Sequence, residues 1–331
     1  MSSPSLRVVS VVGVLCASAL TVYTQFVFLH TTDQVTNRGF REQSIEQYEQ
    51  TLNGTRPFPY RWRQAGPRLV KLGETLTGLD PHVVDAAIKT VALAASAIFL
   101  IRYAAIWLSP IGTLAAAALY FMLTAAAYSS EGYSIYYTND FLMVAGWNAA
   151  IMLIALDQWA LAALVVFLTA WAKETVVLIP LLALFEWRRG KATRAQMVLV
   201  GAAFLIPTAI LRTYYPAPLT EWAWWHNITL NVPFLRLEPD IIITAIRDNL
   251  KLLVFFNVWG WLAIRAIHRT REPLWRELGV IGVIYLALMY VVVYLRELRH
   301  FLPLLIVLLP PAVSELDRLS KQPTADHTPA M

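Results

Sequence analysis

The chain has 331 residues, of which 57% are apolar, and its formal net charge is +5. Apolar residues recur in runs of about 15 to 25, the length that a helix needs to cross roughly 30 Å of hydrocarbon. This pattern excludes a water-soluble globular protein. It predicts an all-α, polytopic transmembrane bundle that forms a single integral membrane domain over residues 1–331.

We expect about ten transmembrane helices, both termini in the cytoplasm, and a cytoplasmic tail at 315–331. Two short connections, 188–194 and 265–276, are strongly basic, and this excess of positive charge predicts that both are cytoplasmic. Twelve basic and seven acidic residues then lie inside, so the whole net charge is on that side and nucleic acid is not needed to explain it. The ten apolar segments are 7–29, 84–101, 106–128, 141–156, 158–171, 175–187, 196–213, 249–264, 278–295 and 301–314.

The first apolar segment contains the only cysteine, Cys16, which excludes an intrachain disulfide. Small residues at 17–19 are typical of a signal-peptide cleavage site. The apolar stretch continues through Phe28, however, and is long enough to span. We therefore expect an uncleaved first helix and a multi-pass protein of a bacterial inner (plasma) membrane.

A long polar region, 30–85, follows this helix and is predicted to be the first outer loop. It carries Asp33 near its start and then a Gln/Glu-rich run. Within that run Ile45, Tyr48 and Leu52 recur at spacings of three and four, which predicts an amphipathic helix on the membrane surface. A structureless loop of this length is uncommon unless it is functional.

Two arginines, Arg61 and Arg63, alternate with aromatic residues near the end of this loop. Such a pattern is typical of an interfacial Trp/Arg anchor. It is equally typical of a phosphate clamp, because a guanidinium group binds phosphate oxygens in a bidentate manner. The sequence leaves both interpretations open.

Ionisable residues also stand where later helices meet the predicted outer face. Tyr137 and Asp140 begin the fourth segment, and Lys173 and Glu174 join the fifth and sixth. Those two segments are about 13 residues each, too short to cross about 30 Å fully, so we expect their charged turn to lie below the surface in protein or water-filled surroundings. The alternative is a Lys173–Glu174 ion pair that only closes a helical hairpin.

The second predicted outer loop, 214–248, contains a dense aromatic stretch that ends in His226. Aromatic rings at this position are typical of an interfacial belt, and they also stack on sugars. Three basic residues, Arg296, Arg299 and His300, stand at the outer mouth of the last two segments and are expected to share one helical face. Snorkelling anchors explain the two arginines nearly as well.

Several familiar nucleotide and hydrolase signatures are missing from the sequence. We find no Walker motif, no G-x-G-x-x-G, no G-x-S-x-G and no His pair at metal-ligand spacing. The sequence therefore gives no support to soluble nucleotide chemistry.

The arrangement resembles the GT-C superfamily of polytopic membrane glycosyltransferases, which use polyprenyl- or dolichyl-phosphate sugars. The chain departs from that pattern in having no paired acidic residues near the first helix, and it is shorter than most such enzymes. The resemblance rests on Asp33 in the loop after the first helix, on Tyr48 followed by Pro59-Tyr60-Arg61-Trp62-Arg63, on Tyr137-Thr138-Asn139-Asp140, on Lys173-Glu174-Thr175 and, more weakly, on residues 296–300.

The resemblance implies transfer of a sugar from a lipid-phosphate donor to a glycan, lipid or protein acceptor at the outer face. Asp33 would be the catalytic base. A divalent cation, Mg or Mn, would fit at Asp33 with Asp140 or Glu174, although no ligand spacing demands one. The leaving phosphate would be neutralised by basic residues. The substrate-binding candidates are Tyr48, Arg61, Arg63, Tyr137, Asp140, Lys173, Glu174, His226, Arg296, Arg299 and His300.

Two other classes compete with an enzyme. A transporter or flippase for a lipid-linked or anionic solute would suit charged residues between short helices, but the sequence has no convincing internal repeat. A noncatalytic scaffold subunit would explain the hydrophobicity but not the many charged groups of the first loop. We therefore expect an enzyme, with the transporter as the main alternative.

Overall fold

The computed structural model describes residues 13–24, 40–56, 60–129, 137–216, 224–232, 235–293, 295 and 297–321. In these ranges every regular element is helical. The α-helices are α1 Gly13–Thr24, α2 Phe40–Leu52, α3 Ala65–Thr77, α4 Pro81–Trp107, α5 Pro110–Ser129, α6 Thr138–Ala155, α7 Trp159–Ala170, α8 Leu178–Arg188, α9 Arg194–Tyr214, α10 Trp224–Asn231, α11 Pro239–Arg269, α12 Pro273–Val292 and α13 Leu304–Ser320.

Six of the described helices, α4, α5, α6, α9, α11 and α12, are long and apolar enough to cross a membrane. The predicted all-helical class and its apolar, membrane-compatible helices are therefore confirmed. Each of the ten predicted segments overlaps at least one α-helix, but α1 and α7 have only 12 residues each and α8 only 11. Ten crossings and two cytoplasmic termini stay predictions.

Both predicted outer loops contain more helix than the sequence pattern indicates. The first includes α2, over the Gln/Glu-rich run, and also α3, which was not predicted. The second includes α10 and the start of α11, which begins ten residues before the predicted apolar segment because its first turns carry charged residues among the apolar ones. At the other end of the chain, α13 extends to Ser320, into the predicted tail.

Local sequence signals account for several helix ends. Asp80 begins α4 by accepting the backbone N–H of His82 at 2.8 Å, with Pro81 in the first turn, where its missing N–H costs nothing. Thr193 and Gln196 form a reciprocal capping box at the start of α9. These caps fix where two membrane helices begin.

Helix α6 is the centre of the bundle. Of its most apolar stretch of 18 residues, 83% is buried inside the protein, against 28% of the corresponding stretches of α9, α11 and α12. A helix that is apolar around its whole circumference is expected to be covered on all sides. Gly146 permits close packing of α7, because a Cβ there would lie 1.9 Å from the hydroxyl of Thr169. The polar first turn of α6 is consequently held in the interior at one end of the bundle.

The residues that follow α2 are fixed against the ends of α7 and α9. The indole Nε1 of Trp62 donates to the carbonyl of Tyr215 at 2.7 Å. The backbone N–H of Ala65 donates to the carbonyl of Trp171 at 3.1 Å. This region of the first predicted loop is therefore part of the folded bundle, beside the first turn of α6.

Helix α11 is broken at Asn257, whose φ of 29° and ψ of −133° are not helical. A non-glycine residue with positive φ in the middle of a helix is uncommon and interrupts the hydrogen-bond ladder. The 31-residue helix is therefore two consecutive helical pieces.

Candidate functional site

Four segments that are far apart in the sequence meet at the end of the bundle where α6 begins. The first is Arg63, directly after the 3₁₀ helix Tyr60–Trp62, and the second is the first turn of α6. The third is Lys173 with the start of the 3₁₀ helix Glu174–Val177, and the fourth is Glu297 with the 3₁₀ helix Leu298–Phe301. We call the ionisable residues that they contribute the charge cluster: Arg63, Asp140, Lys173, Glu174, Glu297, Arg299 and His300.

Asp140 is the shared anion of the cluster. Lys173 Nζ donates to its Oδ1 at 2.6 Å, and Arg299 Nε donates to its Oδ2 at 3.0 Å. All three side chains are buried, with exposed fractions of 8% or less. Buried charges persist only when they are paired, and here one carboxylate binds two cations from different segments.

Glu297 and His300 close this group into a ring. Arg299 Nη2 donates to Glu297 Oε2 at 2.7 Å, and His300 Nε2 lies 2.7 Å from the same oxygen. His300 Nδ1 lies 2.9 Å from Lys173 Nζ. Because the ammonium group only donates, Nδ1 accepts, and the neutral ring carries its proton on Nε2 and donates to Glu297.

Burial and the neighbouring Lys173 charge lower the pKa of His300 to about 4, although the hydrogen bond to Glu297 opposes this. The histidine is therefore neutral at pH 7. Burial alone would raise the pKa of Glu297, but the His300 hydrogen bond and the Arg299 charge outweigh it and lower that pKa to about 2. The cluster thus holds three cations and three carboxylates, which balance.

Arg63 and Glu174 form the accessible edge of the cluster. Arg63 Nη2 donates to Glu174 Oε1 at 2.7 Å, and the Glu174 side chain is 40% exposed against 13% for Arg63. Burial opposes ionisation of Glu174, but the Arg63 charge prevails and holds its pKa below the usual range. The accessible group of this pair is a carboxylate, and its guanidinium partner lies behind it.

Asn139 holds the Arg63 backbone beside Asp140. Its Nδ2 donates to the Arg63 carbonyl at 2.9 Å, and its Oδ1 accepts the backbone N–H of Gly66 at 2.8 Å. A Cβ on Gly66 would lie 3.0 Å from that oxygen, so a side chain there would disturb the contact. Consecutive residues of α6 thus position Arg63 and bind Lys173 and Arg299.

Three tyrosines complete the surroundings of the cluster. The Arg299 guanidinium carbon lies 3.6 Å from the centroid of the Tyr137 ring, a cation–π contact. Tyr285 Oη donates to the His300 carbonyl at 2.5 Å. Tyr48 is buried on α2 in a small apolar group against which Tyr137 packs. Tyr48 therefore supports the Tyr137 ring rather than contacting the ionised groups.

The structure decides how Lys173 and Glu174 are paired, which the sequence left open. Lys173 binds Asp140, and Glu174 binds Arg63. The two adjacent side chains point to different partners because the backbone of Lys173 is extended, whereas Glu174 begins the 3₁₀ helix. The hypothesis that the two side chains form a mutual ion pair is wrong.

Four of the predicted site residues are not placed by the structure. Asp33 and Arg296 lie outside the described residues, and so do the side chains of Arg61 and His226. His226 belongs to α10, which packs against α11 and α12. The expected helical face of 296, 299 and 300 is a 3₁₀ helix at its described part, from which Arg299 and His300 both reach the cluster.

One buried ion pair escaped the sequence interpretation. Lys89 Nζ lies 2.6 Å from Asp85 Oδ2, and both side chains are fully buried on α4. The hydroxyl of Thr138, beside Asn139 and Asp140, donates to Asp85. The signal was available, since an Asp–Lys pair at i,i+4 inside an apolar run is unusual enough to indicate function or a specific partner.

Nothing in the described part of the chain forms a group of three or more His, Cys, Asp or Glu side chains suited to a metal ion. Both oxygens of Asp140 are already bound by cations. A Mg or Mn ion would therefore need Asp33 with Glu174, and the divalent cation stays a prediction.

Comparisons with models of known families, with characterised proteins and with solved structures gave no match.

Proposed function

We propose that the protein is a membrane glycosyltransferase that transfers a sugar from a lipid-phosphate donor to a glycan, lipid or protein acceptor at the extracytoplasmic face of a bacterial plasma membrane. The observation that supports it is the meeting of four distant segments in the charge cluster, at the depth where apolar helices end. Polar backbone and charged groups at that depth require protein or water around them, and a lipid phosphate reaches the same depth.

Arg63 is the best phosphate ligand of the described residues. It is the cation of the accessible pair, and a guanidinium group binds phosphate in a bidentate manner. An incoming phosphate competes with Glu174 for Arg63, because the cluster has no excess positive charge. Binding therefore exchanges one anion for another at the same guanidinium.

This exchange releases Glu174 beside the reacting groups. The acceptor oxygen attacks the anomeric carbon, the bond from that carbon to the phosphate oxygen breaks, and the acceptor proton passes to a carboxylate. Glu174 is the most exposed carboxylate of the charge cluster and therefore the best placed of them for this step, beside Asp33 as the candidate from sequence. Asp140 is unsuited, because it is buried and bound by two cations.

Lys173 and Arg299 lie deeper in the cluster than Arg63 and act on the leaving phosphate through their charges. Both are fixed to Asp140 in a buried setting, so they supply an oriented positive field without having to reorganise during the reaction. The phosphate that leaves with its lipid gains negative charge as the bond breaks, and fixed cations nearby lower the energy of that state.

The test is sugar transfer by the purified chain in lipid vesicles, with radiolabelled polyprenyl-phosphate sugars and mixed acceptors. We expect Arg63→Gln to lower transfer by about a hundredfold, as for loss of one oriented donor. The matched control is Lys71→Gln, which removes an exposed cation on α3. No transfer by the wild-type chain with any donor, or equal loss in both variants, contradicts the proposal. A chelator in parallel reactions tests the divalent cation.

A transporter for the same lipid-linked solutes is the second candidate, supported by the break in α11 at Asn257, since broken helices are typical of carriers. The vesicle experiment separates the two. A glycosyltransferase cleaves the bond between sugar and phosphate, whereas a carrier or flippase moves the intact donor to the other leaflet and leaves the label on the lipid.

A further inference from the structure

A cleft lies at the opposite end of the bundle, where α8 ends and α12 begins. Its volume is about 410 Å³. The two helices pack against each other, and the cleft opens at the face that the positive charges predict to be cytoplasmic. We call it the arginine cleft, and it is lined by Phe185, Arg188, Arg189, Arg276, Glu277 and Val280.

Arg189, in this cleft, makes fewer hydrogen bonds than its guanidinium group allows. Arg189 Nη2 binds both oxygens of Glu186 at 2.6 and 2.5 Å, but its Nε and Nη1 are buried and have no hydrogen-bond partner in the described part of the chain. Its Nε lies 3.7 Å from Glu277 Oε1, too far for a hydrogen bond. A buried N–H without an acceptor is unfavourable, so an anion in the cleft would stabilise an Arg189 side chain that turns these N–H groups towards it.

Two further cations increase the positive charge. Arg188 and Arg276 are exposed, and neither forms an ion pair with any described residue. Glu277 lines the cleft as well, and Glu186 lies behind Arg189. Three arginines against two carboxylates leave a positive excess, which favours an anionic ligand.

The apolar lining shows what kind of anion fits. Phe185 precedes Arg188 by three residues on α8, and Val280 follows Arg276 by four on α12. Because α8 ends at this face and α12 starts from it, both apolar side chains lie about one turn, or roughly 5 Å, deeper in the bundle than the arginines. Val280 is 50% exposed. The cleft therefore presents cations at its mouth and hydrocarbon below them.

We propose that the arginine cleft binds the phosphate headgroup of an anionic membrane phospholipid, whose acyl chains run past Phe185 and Val280. The phosphate oxygens interact with the exposed charges of Arg188 and Arg276, and Arg189 turns its Nε and Nη1 towards them. Basic pockets between membrane helices on the cytoplasmic side favour such headgroups. The site is separate from the charge cluster and does not depend on glycosyl transfer.

The test measures lipid adducts on the delipidated full-length protein by native mass spectrometry, with phosphatidylglycerol against phosphatidylcholine. We expect phosphatidylglycerol to bind more tightly, and the double variant Arg188→Gln/Arg276→Gln to weaken it by about thirtyfold, at roughly tenfold or less per arginine. The control is Arg194→Gln/Arg271→Gln, which removes the same charge from exposed positions outside the cleft lining. Thermal unfolding of each variant shows that the fold is kept.

Three results overturn the proposal. Equal affinity for the two lipids shows that headgroup charge is not recognised. Equal weakening in the cleft and control variants shows diffuse attraction to a basic face. Displacement of phosphatidylglycerol by glycerol phosphate at the same concentration shows that the acyl chains contribute nothing, and the ligand is then a soluble phosphate. If the variant with altered Arg188 and Arg276 unfolds, Phe185→Ser with Val280→Ser tests the apolar half alone and should weaken the lipid but not glycerol phosphate.

Discussion

Each end of the bundle has a buried carboxylate that is bound by cations, but the two ends differ in how deeply those cations are buried. In the charge cluster both cations that bind the central carboxylate Asp140 are buried with it: Lys173 is 1% exposed and Arg299 is 8% exposed. At the other end, Glu315 of α13 is 3% exposed and its partners Arg265 and Arg269 on α11 are 31% and 52% exposed. One end buries its cations together with the carboxylate, and the other leaves the arginines around its carboxylate exposed.

This difference separates a structural connection from a candidate site. The arginines around Glu315 join α11 to α13 and keep their charged groups near solvent or lipid headgroups, as long cationic side chains do at a membrane surface. Lys173 and Arg299 have no such access and are held at a cost in desolvation. An arrangement that is unfavourable for stability is expected where function requires it.

The largest expected effect is all-or-none labelling that tests whether the two ends face opposite sides. In a Cys16→Ala background, Lys71→Cys should react with a membrane-impermeant thiol reagent in intact cells, and Lys191→Cys should not. Both native lysines are exposed, whereas cysteines at the buried positions 140 and 173 would resist the reagent on either side. Labelling of Lys191→Cys from outside would reverse the assignment of the two ends.

Removing the central carboxylate of each end should give unequal losses of stability. Asp140→Asn leaves Lys173 and Arg299 as buried cations, and we expect a loss of about 3–5 kcal/mol in the free energy of unfolding in detergent. Glu315→Gln should cost clearly less, because its arginines can be hydrated where they are. Equal losses in thermal or denaturant unfolding would mean that the two ends do not differ in this respect.

The smallest effect expected is a dependence of stability on pH that arises at the charge cluster. The pKa of His300 is lowered to about 4 from 6.5, so the folded state binds fewer protons than the unfolded state between these values. Stability from this group is therefore complete above about pH 6.5 and lost as the pH falls towards 4, by up to about 3 kcal/mol. Glu297 contributes only below its ordinary pKa of 4.5.

The measurement is the unfolding free energy of wild-type protein and His300→Gln over this pH range. Lys173, Glu297, Arg299 and Asp140 surround His300 in both proteins, so the difference between the two curves isolates the imidazole. The variant should show a flatter curve. Parallel curves would show that His300 does not titrate between the folded and unfolded states in this way.

The fold could be predicted where a single property determines it. Length and apolarity located each long helix, because hydrocarbon imposes one requirement on every crossing segment. The same rule could not find α3, whose apolar residues are too few for a span and are interrupted by charged ones such as Lys71. The rule also could not find the first turns of α11, where polar residues interrupt the apolar pattern.

Most residues of the charge cluster were predicted from the sequence, although Glu297 was missed, but the pairs that they form were not. Intramembrane charges are rare enough to single out Asp140 and Lys173 from sequence alone. Their partners depend on which helices are neighbours, and sequence spacing says nothing about contacts over more than 100 residues, as between Arg63 and Glu174. Asp85 and Lys89 were overlooked because the first falls at the edge of the predicted loop.

The hydrogen bond from the Ala65 N–H to the Trp171 carbonyl has a consequence for how such a site can diversify. It joins the segment that carries Arg63 to the turn that carries Lys173 through main-chain atoms alone. Side chains at 60, 61 and 63 can therefore be exchanged without loss of this attachment, whereas Trp62 adds a second attachment through its indole; only proline at position 65 removes the main-chain donor. Substrate preference and the placement of the segment are thus separable traits, and the residues at 60, 61 and 63 can vary on an unchanged scaffold.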